Sequence, residues 1–380
     1  MDLDLSEDQE FFRDTTRKFL ESEIPVERVR KLADDPGGFE RSWWRRGAEM
    51  GWTSMLVPEE YGGGSLAGEG LLDLVIVAEE MGRLVSPGPL LATNVVASAV
   101  AERGTPEQQQ ALLPAIVSGD VIATWALCEP GGRWQSDEIG VEALAKDDGF
   151  VIRGSKEPVE AGGQVDQFLV TARTDEGLTQ LLVPADADGL TVTAMESLDL
   201  VRRYAALRFE DVFVPASAVL GEAGNAAADV ERQLQVALAL QLAETVGAVD
   251  RIFEVTLEWM FDRFSFGRPL ASYQALKHRF ADMKMWHEAN QAAATGAACA
   301  VQNRSENAPA VVSSAKSYVG DHATFILQEC VQMHGGLGVT WEYDLHLYLR
   351  RATVNEVQYG TPREHRERIA RLIGMDEETQ

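Results

Sequence analysis

The chain has 380 residues, 45% of them hydrophobic, with 34 Lys and Arg against 60 Asp and Glu and a formal net charge of −26. That length predicts two or three domains, and that apolar content excludes global disorder. The acidity excludes nucleic acid and an anionic membrane surface as main partners.

Residues 1–121 read as a helical domain. Ser6 can cap a helix with Gln9 at its third position, and Phe12, Phe19 and Leu20 then share one face. Pro25 ends that helix, LLDLVIVAEEMGRL (71–84) forms a buried one, and Thr105, Pro106 and Gln108 start another. The acidic start, MDLDLSEDQE, lacks the features of a signal peptide.

Residues 122–223 change texture. FVIRG, QFLVTAR, TQLLVPA, LTVTAM and AALRFEDVFVP are short, rich in Val, Leu, Phe and Thr, and separated by Gly or Asp turns. They predict an antiparallel β domain, a small barrel or sandwich. Residues 224–380 return to helical periodicity in three long proline-poor stretches and predict a four-helix bundle. Segregated helices and strands make the fold class α+β. No GxGxxG follows a strand, so a Rossmann site is not expected. Cys128, Cys299 and Cys330 are odd in number and widely spaced. They imply neither a disulfide framework nor a metal site, and suit a cytoplasmic protein. No run of about 18 apolar residues exists to span a membrane.

Six stretches, in order, resemble the acyl-CoA dehydrogenase family: SEDQEFFRDTTRKFLESEIP, GWTSMLVPEEYGG, VAEEMGRL, ATWALCEPGG, FDRFSFGRPLASYQALKHRFADM and VQMHGGLGVTWEYDLHLYLRRA. The similarity covers nearly the whole chain. It implies the same three-part architecture in an oligomer, FAD as cofactor, an acyl-CoA substrate and an electron-transfer flavoprotein as acceptor. The family's reaction removes two hydrogens from the α and β carbons of a thioester. A carboxylate takes the α proton, and flavin takes the β hydrogen.

Such a base must be close, desolvated and raised in pKa. The family's commonest base precedes a Gly-Thr pair. Here Gly360 and Thr361 survive, but the preceding residue is Tyr359, a poor base with an ordinary pKa near 10. A second base position of the family falls at Ala237. Two turns on, Glu244 stands among Ala, Leu and Val. A carboxylate there is costly unless functional or paired. Glu244 is therefore either the candidate base or a structural acid facing Arg251 or a neighbouring helix.

By the same resemblance, FAD lies across a subunit interface. The half donated to a neighbour is intact here: Arg268 after Phe-Gly, Gln274 downstream, and Gln332, Gly335 and Gly336 in a Gln-x-x-Gly-Gly turn. The half that cradles the flavin ring is altered. The family loop Thr-Glu-Pro-Gly-Ala-Gly-Ser here runs from Cys128 to Trp134, without its hydroxyls. Pro158, Val159 and Glu160 replace an aromatic, Ile and Thr or Ser. Trp134 is either a replacement stacking contact or a core residue. Arg251 stands near where the family keeps polar groups for CoA, and Trp259, Met260 and Phe261 are residues that could shape the acyl pocket.

Three readings follow. The chain is a divergent dehydrogenase with Glu244 as base, alone or within an α2β2 complex. Or it is a catalytically decayed subunit completing a homologue's FAD site, as in actinobacterial heterotetrameric members acting on bulky thioesters such as steroid side chains. Or it is a flavin monooxygenase-like member of the fold.

Overall fold

The computed structural model describes residues 5–35, 37–66 and 68–375, so the first four residues of the acidic start lie outside it. Six helices come first: α1 (Glu7–Glu23), α2 (Val26–Ala33), α3 (Arg41–Glu49), α4 (Gly70–Arg83), α5 (Leu90–Arg103) and α6 (Pro106–Val117). Capping boxes start α1 at Ser6 with Gln9 and α6 at Thr105 with Gln108. Each satisfies two backbone donors that a helix start leaves unpaired. α5 has no polar face over Leu90–Val100, and every one of those residues is buried.

Eight strands follow: β1 (Ala123–Ala126), β2 (Glu142–Lys146), β3 (Gly149–Glu160), β4 (Gln167–Thr174), β5 (Gly177–Pro184), β6 (Leu190–Met195), β7 (Tyr204–Pro215) and β8 (Val219–Leu220). They form one sheet in the order β6-β7-β3-β2-β4-β5-β8, with β1 paired in parallel to β4. This corrects the expected antiparallel barrel, because the sheet is open and two of its pairings, β1–β4 and β2–β4, are parallel. The reason lies at the edges. β6 is largely solvent-facing and β8 has only two residues, so the ends do not meet. β3 carries an irregularity between Lys156 and Val159, where Pro158 has no N–H to give to the ladder.

The chain then returns to helix with α7 (Ala227–Asp262), makes a hairpin of β9 (Phe264–Ser265) and β10 (Arg268–Pro269), and continues through α8 (Gln274–Gln302), α9 (Ala308–His334), α10 (Leu345–Val357) and α11 (Pro362–Leu372). With 36 residues, α7 is about 54 Å long. It packs on α8 and α9, and α10 and α11 close against α9. Among the described residues no helix is long and apolar enough to cross a membrane.

α4 crosses α7 at backbone contact. A Cβ on Gly82 would stand 2.0 Å from the Glu244 carbonyl oxygen, and one on Gly247 would stand 2.0 Å from that of Glu79. Two glycines thus let the N-terminal helices seat against the bundle and fix the rotation of α7. Gly247→Ala is expected to cost at least about 1–3 kcal/mol through overpacking. Chemical denaturation checks this, and an unchanged midpoint would contradict the close crossing.

Candidate active site

A cleft of about 540 Å³ opens between the loop after β1, the end of β6 and the turn joining α10 to α11. Cys128, Gly131, Gly132 and Trp134 line one wall, with Pro158 and Tyr204 behind them, and Gln358, Tyr359, Gly360 and Thr361 form the other. Two buried lysines hold these walls. Glu129 accepts hydrogen bonds from the Gly140 and Val141 amides (2.9 Å each) and from Lys156 Nζ (2.8 Å), which also donates to the Leu127 carbonyl (2.9 Å). Burial lowers the Lys156 pKa to about 8, against the pull of Glu129. Opposite, Lys316 Nζ donates to Gln241 Oε1 (2.6 Å), the Gln358 carbonyl (3.0 Å) and the Asn355 carbonyl. Its own burial lowers its pKa to about 7.

The three expected ring-side residues, Cys128, Trp134 and Thr361, meet Tyr359 at this cleft, but their polar groups are spent or suppressed. Burial pushes the Cys128 thiol up to about 12 and the Tyr359 hydroxyl well above its ordinary value. The Tyr359 ring packs on Trp125 at 5.6 Å. The Thr361 hydroxyl caps α11, donating to Glu364 Oε2 (2.7 Å) and accepting from the Glu364 amide (3.3 Å). Trp134 stacks on His365 at 5.1 Å and donates from Nε1 to Glu364 Oε1 (3.3 Å). Gly360, at φ +104°, is required here: a Cβ would stand 2.5 Å from the Trp134 ring and 2.8 Å from His365.

Glu244 is not on the cleft wall. It lies behind it, buried on α7. Its Oε1 accepts from Arg202 (2.5 Å) and Arg351 (2.7 Å), and its Oε2 accepts from the Asn355 amide (2.8 Å). Arg351 also binds Asp199, and Glu160 stands 3.3 Å from Arg202. Burial alone would raise the Glu244 pKa, but the two guanidiniums and Asn355 outweigh it and hold it at about 2. That is the reverse of what proton abstraction from a thioester needs, so the geometry disfavours Glu244 as base. Of its two expected settings it occupies the paired one, with Arg202 and Arg351 in place of Arg251. Two carboxylates, Glu244 and Asp199, balance the two arginines. Glu160 is the third carboxyl of the cluster, and burial raises its pKa.

Arg251 does not reach this cleft. It lines a separate one of about 530 Å³ with Arg17, Arg83 and Tyr348. Trp259, Met260 and Phe261 are also elsewhere. Trp259 stacks on His334 at 5.0 Å, Met260 is buried, and Phe261 is exposed at the end of α7.

The residues of the donated half gather at one end of the bundle. Arg268 lies in the β9–β10 hairpin, its guanidinium 3.9 Å over the Tyr273 ring, and Gln274 opens α8. Gln332 ends α9, where Gly335 turns at φ +60°. Trp259 Nε1 donates to the Met333 carbonyl (3.3 Å), tying the end of α7 to the end of α9. Cβ atoms on Gly267, Gly335 and Gly336 would meet nothing within 4 Å. Arg263, missed in the sequence, adds a second exposed cation beside the hairpin, 5.7 Å over the Trp259 ring. Its spacing before the Phe-Gly pair was the signal available.

The two halves fit a dinucleotide unequally. The bundle end offers arginines, amides and an open glycine turn, which suit a pyrophosphate. Among the described residues, the only charged ones lining the cleft are Glu196 and Glu364. With Trp134 in place of a hydroxyl and Glu160 buried behind it, the cleft does not fit a flavin dinucleotide. Among the described residues, no three His, Cys, Asp or Glu gather to hold a metal.

The cluster predicts a pH dependence. Glu244, held low, contributes stability above the ordinary carboxylate range and loses it as pH falls toward about 2. Glu160, whose pKa burial raises, loses stability for the fold as pH rises through that raised value. Glu160→Gln is therefore expected to gain thermal midpoint over the wild type between pH 5 and pH 8. A pH-independent difference would contradict the assignment.

Family models match two spans of the chain: "Acyl-CoA dehydrogenase, N-terminal domain" at residues 6–120 and "Acyl-CoA dehydrogenase, C-terminal domain" at residues 200–374. The acyl-CoA dehydrogenase IpdE2 of Mycolicibacterium smegmatis is 29% identical over 368 residues, 96% of this chain and 98% of that protein. Among solved structures, a variant of the Tcur3481–Tcur3483 steroid ACAD is 28% identical with a TM-score of 0.88, covering 98% of this chain and 99% of that one. The ChsE4–ChsE5 complex of Mycobacterium tuberculosis is likewise 28% identical with a TM-score of 0.88, covering 100% of both chains. The chain belongs to the acyl-CoA dehydrogenase family, oxidoreductases whose cofactor is FAD.

Proposed function

We propose that the chain serves α,β-dehydrogenation of an acyl-CoA thioester as the completing subunit of a heteromeric acyl-CoA dehydrogenase. A homologous partner supplies the catalytic base. The observation that carries this is the state of Glu244. The acid that the sequence offered as base is held between Arg202 and Arg351. The carboxylates on the cleft wall serve no better: Glu196 is exposed, and Glu364 is occupied by the α11 cap and Trp134.

In this reading the working surface is the bundle end. Arg268 binds a phosphate of the partner's FAD as a bidentate cation, and Gln274 and Gln332 offer amide hydrogen bonds. Gly335 and Gly336 let their backbone approach the cofactor. The redox chemistry is FAD's, and an electron-transfer flavoprotein takes the electrons onward. A relative described as a complex of two chains, ChsE4 with ChsE5, supports pairing between unlike homologues.

The test begins with the visible absorbance of the chain purified alone. The expected result is no flavin band, with one appearing when the chain is mixed with a homologous subunit that keeps a carboxylate before its Gly-Thr pair. In that mixture Arg268→Ala should weaken FAD retention about tenfold, near 1.4 kcal/mol for a charge-assisted contact. A stoichiometric flavin band in the isolated chain, bleached by butyryl-CoA under argon and insensitive to it after Glu244→Gln, would overturn the proposal.

A further inference from the structure

Resting on that reading, we infer that Trp134 is the plug that keeps a flavin dinucleotide out of this chain's own cleft. Its indole is a wall shared by two cavities. One is the cleft of about 540 Å³ that ends at Tyr359. The other, about 430 Å³, lies between the 134–137 loop, the first turns of α7 and α11, where Arg368 and Arg371 stand. The cleft has a glycine loop and aromatic walls, and its neighbour holds Asp137, Arg368 paired with Glu231 at 2.5 Å, and Arg371 donating to Gln135. A flavin ring and the chain of atoms that leads from it to the phosphates need one continuous space. Trp134 divides the two cavities.

The indole is held firmly. It is buried, with 3% of its surface exposed. It stacks on His365, donates to Glu364 and lies against Gly360 closely enough that no side chain fits there. These contacts all come from the opposite wall, so the ring bolts the 128–134 loop to the α10–α11 turn. Its neighbours in the loop, Gly131 and Gly132, have open space where Cβ atoms would project, so the obstruction is the indole and not the backbone. An aromatic side chain of this kind fills the surface of roughly 150–250 Å² that a small residue leaves open.

Trp134→Ser, with Trp134→Ala beside it, tests the plug on the isolated chain, with circular dichroism confirming that each variant is folded. FAD is titrated, and binding is read as quenching of flavin fluorescence. Trp134→Phe, which keeps a ring in the gap, is the control. The account predicts FAD affinity at least tenfold higher in the Ser or Ala variant than in the wild type, and a Phe variant that behaves as wild type. If wild type, Ser and Ala variants all fail to bind, the plug is wrong while the completing-subunit reading stands. If the wild type binds FAD as tightly as the variants, both fail.

Discussion

Two arginines taken out of water set the centre of this molecule. Arg202 comes from the loop before β7 and Arg351 from α10, and both are buried. A guanidinium in such a place requires carboxylates and further acceptors. Glu244 from α7, Asp199 from the β6–β7 loop and the Ser86 carbonyl before α5 supply them. The sheet, the N-terminal helices and the bundle therefore meet at one ion cluster. Removing one member would strand a charge in the interior, which costs several kcal/mol.

That cluster occupies ground that chemistry would need. The family resemblance sets its two base positions at Tyr359 and Ala237, so an acyl chain would lie between the turn and this face of α7. The space beside Glu244, Arg202, Met81 and Leu240 is about 10 Å³. That holds one water at most, against about 300 Å³ or more for a ligand pocket. The close glycine crossing of α4 on α7 has the same effect from the other side. Charge pairing, helix packing and the Trp134 bolt thus act together to close the interior around Glu244.

Much of this was legible in the sequence because its signals are local. The capping boxes at Ser6 and Thr105 read directly as helix starts. The glycine turns and the Arg268 hairpin carry short motifs with a mechanical meaning. α5 was missed because it is buried all round, so its apolar residues show no 3.6-residue stripe. The open sheet was misread as a barrel because strand texture says nothing about which edges meet. The partners of Glu244 were illegible for a similar reason. Arg202 and Arg351 lie 42 and 107 residues away, and only the folded topology brings them to it. A lone acid among apolar residues signals either function or pairing, and the sequence cannot choose.

The central claim is an asymmetry: this chain gives to a FAD site and does not hold one. The most direct measurement is the FAD content of the purified complex with its homologous partner, by native mass spectrometry. The account predicts one FAD for every two chains, each lost together with this subunit when the complex is dissociated. One FAD per chain, or FAD remaining on this subunit after dissociation, would contradict it.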